Sequence, residues 1–197
     1  MSEKTSRPMS GRQVIASSSS LLAAVWIVAL ASIPSAQSYR DQLAAGTAAN
    51  QIVTAYDAMT VIIPITMISS WVITSRWLKQ LHLKATAINP SAMSLKLPWV
   101  FWSWIVPVVS LWFPKRVIED LLKAEGSDDA KSLIGKDSLT WWLTWVGFAL
   151  VNNIGIVSAF NAPADYVPIR PELELAGACL LTGAYLGWLR IVKALGD

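Results

Sequence analysis

Residues 97–114 read Leu-Pro-Trp-Val-Phe-Trp-Ser-Trp-Ile-Val-Pro-Val-Val-Ser-Leu-Trp-Phe-Pro. The stretch carries no charge, so water solvates it poorly. Yet Pro98, Pro107 and Pro114 deny it a continuous helix, because a proline lacks a backbone N–H and crowds the carbonyl four residues earlier. From Leu97 to Phe113 there are only 17 residues, at the short limit of the about 17–25 that a helix needs to cross hydrocarbon. Its tryptophans, Trp99, Trp102, Trp104 and Trp112, prefer the boundary between lipid and water. A short, broken, ring-crowded segment of this kind is expected to dip into a bilayer and turn back. The backbone groups freed at its breaks must then find partners within the protein.

Longer apolar runs surround it. The chain has 197 residues, of which 54% are hydrophobic and 15% charged, too apolar a balance for a soluble globule of this size. Spans are expected at 14–33, 52–77, 138–160 and 172–195. The first resembles a signal peptide in its basic start and small residues after Pro34, but its apolar run has the length of a retained span. Pro34 is expected to end it and 34–51 to form a polar loop. Pro64 is expected to kink the second span and free a carbonyl near Thr60, and 78–96 to be a polar loop holding a solvated His82. At 114–125, Val117, Ile118, Leu121 and Leu122 share one face, Glu119 and Asp120 reach Lys123, and Gly126 offers a stop. This helix is expected to lie on the membrane surface. Asp137 or Ser138 is expected to cap the third span. The fold class is thus an all-α integral membrane protein, a single membrane domain over 1–197. It has four transmembrane helices, one partial or re-entrant Pro- and Trp-rich segment at 97–113, and an interfacial amphipathic helix.

Charge sets the orientation, since Lys and Arg flanking spans are held in the cytoplasm. There are 3 before the first span, 4 from Arg76 to Lys96, 5 from Lys115 to Lys136 and 2 after the last span's middle, leaving only Arg40 and Arg170. If 97–113 turns back, the first 14 lie together on the inside; if it crosses, the split is 8 against 8. The biased arrangement is expected, with both termini cytoplasmic in the cell's inner membrane. The net charge of +3 therefore reflects topology, and no nucleic-acid partner is expected.

The stretch Trp99 to Pro114, followed by an amphipathic helix, resembles the hallmark of a bacterial multi-pass membrane family known as domain of unknown function 4328. That family places an aromatic pair and a proline in a short segment, then a second proline before the helix. The matching positions are Trp102, Trp104, Pro107, Leu111 and Pro114, with Glu119 in the following helix. Upstream, Trp71, Arg76 and Trp77 resemble the family's Trp and Arg at the end of the preceding span. The resemblance covers about 70–125. It implies a multi-pass membrane fold and brings no activity with it.

The residues singled out for function follow from this placement. Arg76, Trp141 and Trp145 are expected to face the broken segment and, with Trp102, Trp104 and Pro107, to form a surface for a partner, a lipid or a ligand. Ten of the 11 tryptophans fall toward the cytoplasm, either as an interfacial belt or as the wall of a pocket. Asn152 and Asn153 sit mid-span and are expected to hydrogen-bond between helices. Cys179, Gly183 and Gly187 form a small-residue strip suited to close helix packing. Asp57 is expected at the outer interface beside Tyr56. One cysteine excludes an internal disulfide, and one histidine leaves no His pair for metal or haem. With no nucleophile and base, paired carboxylates or phosphate loop in the sequence, the expectation is a non-catalytic protein without metal or cofactor. An accessory or scaffold subunit of a larger membrane complex is expected, in contact with membrane lipids and other membrane subunits. The alternative is a small transporter or channel with a cytoplasmic aromatic pocket.

Overall fold

A computed structural model describes residues 8–106, 108–160, 163 and 166–196. Its regular elements are all helical among the described residues: α1 (Gly11–Ala44), α2 (Ala55–Thr60), α3 (Ile62–Ile88), α4 (Trp99–Trp102), α5 (Phe113–Glu125), α6 (Asp128–Leu133), α7 (Lys136–Phe160) and α8 (Pro171–Gly196), with 3-10 turns at Ala49–Gln51 and Val109–Leu111. Three helical stretches are long and apolar enough to cross a membrane: Gly11–Ala44, the α2 and α3 stretch Ala55–Ile88, and Pro171–Gly196. Large apolar side chains point outward along them at helical spacing, such as Ile27, Leu30 and Ile33 on α1 and Ile62, Ile65 and Ile68 on α3. Such outward rows suit a solvent of acyl chains rather than water.

The chain divides into two compact units. One comprises Ser19–Ile68 and Leu143–Tyr185. Leu21, Val25 and Ala29 of α1 recur every four residues and pack with Phe148 of α7 and with Ala178 and Leu181 of α8. Two polar bridges run beside this core, Ser19 to Tyr185 at 2.6 Å and the Trp26 indole N–H donating to Thr182 at 3.0 Å. Here the expectation for Pro34 is corrected: α1 continues through it to Ala44. Ala36 and Tyr39, beyond the proline, are buried with Ile52 and Ile169, and this packing outweighs one lost helical hydrogen bond. Nor does α2 carry a free carboxylate. Asp57 closes a capping box, accepting from the Thr54 N–H at 2.7 Å and the Thr54 hydroxyl at 2.9 Å. The helix then breaks at Val61, where Pro64 was expected to disturb it, and the proline falls in the first turn of α3. The Tyr56 hydroxyl hydrogen-bonds to the Glu174 carboxylate.

The second unit gathers the described residues of Met1–Ser18, Ser69–Trp142 and Leu186–Asp197. Helix α3 persists 11 residues past Trp77, so most of the polar loop expected at 78–96 is helical. Between Pro98 and Phe113 the chain is irregular, with one helical turn at Trp99–Trp102 and a 3-10 turn at Val109–Leu111. Pro107 lies outside the described residues. The amphipathic helix forms as expected, and Gly126 ends it in the left-handed conformation that suits glycine, φ 74°. Its apolar face packs inside the protein. Val117, Ile118, Leu121 and Leu122 are 3% exposed or less, and α6 packs against it with Ala130 and Leu133 buried. Helix α7 starts at Lys136 rather than from an Asp137 or Ser138 cap, and the Ser138 hydroxyl instead accepts the Gly135 N–H at 3.1 Å.

At Gly187 of α8 a β-carbon would stand 2.8 Å from the Trp141 Cβ, so only glycine admits that tryptophan. Gly155 of α7 has open space. Gly187→Ala should therefore destabilise the detergent-solubilised protein by about 1–3 kcal/mol. Gly155→Ala should be neutral or gain up to about 1 kcal/mol in helix propensity. Thermal unfolding followed by near-UV circular dichroism checks both.

Candidate functional site: an aromatic platform

The second unit is organised around the broken segment, whose freed carbonyls take indole N–H groups as partners. Trp71 of α3 donates to the Phe101 carbonyl at 3.4 Å while its ring lies 4.2 Å from the Phe101 ring. Trp142 of α7 donates to the Leu111 carbonyl at 2.8 Å. Among the described residues, these two indoles donate to carbonyls of the segment. Arg76 is exposed and has no hydrogen bond or ion pair among the described residues. The segment also closes on itself, with the Trp99 and Phe113 rings meeting edge to face at 4.9 Å.

A run of indoles ties it to the long helices. Trp104 meets Trp141 at 6.4 Å, Trp141 stacks on Trp188 at 5.5 Å with planes 24° apart, and Trp188 meets Trp77 edge to face at 6.2 Å. Trp141, Trp188 and Trp77 are buried. Offset and edge-to-face pairs of this kind contribute about 0.5–1.5 kcal/mol each beyond the area they bury. The outward side of the segment is left apolar: Trp102, Ile105, Val108, Leu111 and Trp112 are 52%, 48%, 64%, 47% and 50% exposed. The geometry is a platform, held from behind and open in front.

Polar groups lock its approaches. His82 was expected to be solvated; it is buried, and its Nε2 lies 3.0 Å from the Leu95 carbonyl, which requires the proton on that nitrogen. Asp120, also buried, accepts from the Ser94 N–H at 2.9 Å and the Ser94 hydroxyl at 2.5 Å. The expected pairings with Lys123 are replaced: Glu119 pairs with Lys115 at 2.7 Å and accepts the Ser138 hydroxyl at 2.7 Å. Burial pushes the Glu119 carboxyl up, but the hydrogen bonds from Lys115 and Ser138 and the Lys115 charge outweigh it and hold the group below its ordinary value.

Of the other residues expected at the site, Trp145 belongs to the first unit, beside Phe148 at 5.8 Å. Asn152 and Asn153 donate to the Phe148 and Ala149 carbonyls of their own helix at 2.9 and 2.7 Å, rather than to another helix. Gly183 faces Thr144, with 3.2 Å between its would-be Cβ and the Thr144 methyl, and Gly187 faces Trp141, while Cys179 is exposed. Among the described residues no three His, Cys, Asp or Glu side chains are grouped to hold a metal ion.

An all-helical chain with three membrane-length apolar helices and a proline-broken aromatic segment is a membrane-type helical protein. The family described as Domain of unknown function (DUF4328) matches residues 37–193, and the chain belongs to it. The match extends well beyond the 70–125 stretch that carries the sequence resemblance. No curated protein and no solved structure matches the chain.

Replacing Trp142 by Phe keeps a ring in place but strips the Leu111 carbonyl of its donor. It should cost about 1–3 kcal/mol in thermal unfolding. Trp102→Phe, at an exposed ring, should cost less than about 0.5 kcal/mol.

Proposed function

We propose that this protein crosses the inner membrane four times, through α1, the α2 and α3 pair, α7 and α8, with segment 97–113 turning back and both termini in the cytoplasm. The contact of Trp99 with Phe113 carries this reading, since a segment whose two ends touch leaves the bilayer on the side it entered. Charge supports it. The unit holding the broken segment has 14 Lys and Arg and 8 acids over its sequence ranges, and the other has 2 and 5, or net +6 against −3. Counted as Lys and Arg alone, 14 against 2, the bias favours a cytoplasmic place for the cationic unit.

Its role in this proposal is non-catalytic, as an accessory or scaffold subunit of a membrane complex. Two of the three acids of α5 support that role, because Asp120 and Glu119 are engaged in fastening neighbouring segments. What the fold builds at the broken segment is a fixed outward surface, and pre-organised aromatic surfaces suit partner contact because little is lost in ordering them.

In a Cys179→Ser background, Lys84→Cys and Lys131→Cys should be shielded from an impermeant thiol reagent in intact cells, and Ala48→Cys should be labelled; external labelling at Lys131 would mean that the segment crosses. Extraction of the native protein in mild detergent should yield a hetero-oligomer of fixed stoichiometry. A homo-oligomer with no other chain would overturn the subunit role and favour transport.

A further inference from the structure

The broken segment carries an outward apolar row, flanked in the sequence by an exposed cation on either side, Lys96 before it and Arg116 after it. Trp102, Ile105, Val108 and Leu111 recur every three residues and face outward, followed by the exposed Trp112. Behind them the chain is fastened by the Trp71 and Trp142 indoles, and Val100 and Ser103 are buried. The Trp99 and Phe113 contact draws the two ends of the segment together. Lys96 lies one turn before Trp99, whose N–H donates to the Lys96 carbonyl at 3.0 Å. Arg116 lies one turn after Trp112, donating its own N–H to the Trp112 carbonyl at 3.1 Å. Both cations are exposed, and neither has an acid partner among the described residues. Two of the three acids of α5 are engaged elsewhere, Glu119 on Lys115 and Ser138 and Asp120 on Ser94.

We propose that this corner binds the headgroup of an anionic phospholipid, with the Trp102 to Trp112 row resting among acyl chains and Lys96 and Arg116 holding the phosphate. This rests on the cytoplasmic placement of the cationic unit, since that leaflet carries the anionic surface. The order of groups follows the order of a leaflet: aliphatic side chains, then the Trp112 indole at the boundary, then a guanidinium one helical turn further on. Arg116 offers a planar fork that matches two phosphate oxygens, and Lys96 adds a mobile point charge. A cation near such a surface contributes about 1 kcal/mol, which is about fivefold in lipid preference.

The test uses the full-length protein in phosphatidylcholine nanodiscs, titrated with phosphatidylglycerol or phosphatidylcholine carrying brominated chains that quench indole emission on contact. The signal read is the part of the emission lost in Trp112→Phe. With two cations, half-quenching should need about 25-fold less brominated phosphatidylglycerol than brominated phosphatidylcholine. Arg116→Gln and Lys96→Gln should each remove most of that difference, Lys123→Gln should not, and about 0.5 M salt should weaken it. Equal quenching by the two lipids, or an undiminished preference in either Gln variant that elutes as a single folded species, would overturn the proposal. So would loss of the preference on adding millimolar inorganic phosphate, which would make this a site for free anion. Protection of Trp112 from both lipids would place a protein on the row and sink the lipid assignment. A lipid preference that persists while Lys131→Cys labels from outside would overturn the topology and leave the lipid site standing.

Discussion

A carbonyl freed inside an apolar environment must be given a donor, because lipid offers none and an unsatisfied group costs several kcal/mol. In this protein the proline-broken segment creates the need, and the indoles of Trp71 and Trp142 meet it. Much of the cationic unit follows from that solution. Trp142 must stand at the start of α7, which sets Trp141 beside it. Trp141 must stack on Trp188, and α8 must then carry glycine at 187 to let the ring in. Tryptophan suits the task because one side chain supplies both the hydrogen-bond donor and the apolar area that excludes competing water.

The polar side chains do quieter work. Asp120 and His82 fasten adjacent residues of the same connection, Ser94 and Leu95, from two different helices. The connection after α3 is thereby held on both sides just before the chain enters the broken segment. Glu119 does the same for the start of α7 through Ser138. Buried carboxylates spent on backbone and hydroxyl donors specify where segments dock, and removing either partner would leave a desolvated group behind.

How far the sequence could be read varied with the range of the interaction. Helix existence was legible for the long apolar runs, and the amphipathic helix could be placed to within a residue at its start because Pro114 and Gly126 bracket a clear periodic face. The capping role of Asp57 was open to reading, since the Thr-x-x-Asp spacing at 54–57 is that of a capping box. Helix ends were misjudged where tertiary packing prevailed over a local stop. Pro34 looks like a terminus, but Tyr39 and Ala36 have partners in Ile52 and Ile169 that no local rule reveals. His82 looked solvated because its neighbours Lys79 and Lys84 are charged, whereas helical spacing from Trp71 and Leu78 puts it on the buried face. The need for donors at the broken segment was legible; their identity was not. Arginine is the obvious donor by chemistry, and only the placement of α3 and α7 selects two indoles instead.

The contact run from Trp104 through Trp141 and Trp188 to Trp77 has an optical consequence. Indoles this close share excited states, so light absorbed by one ring migrates along the row before it is emitted, and the transition dipoles of the stacked pair couple. The cationic unit thus carries a chromophore that belongs to no single residue. Its circular dichroism reports the mutual angles of three long helices and the broken segment at once, and a slip of any one of them would alter a signal from all four.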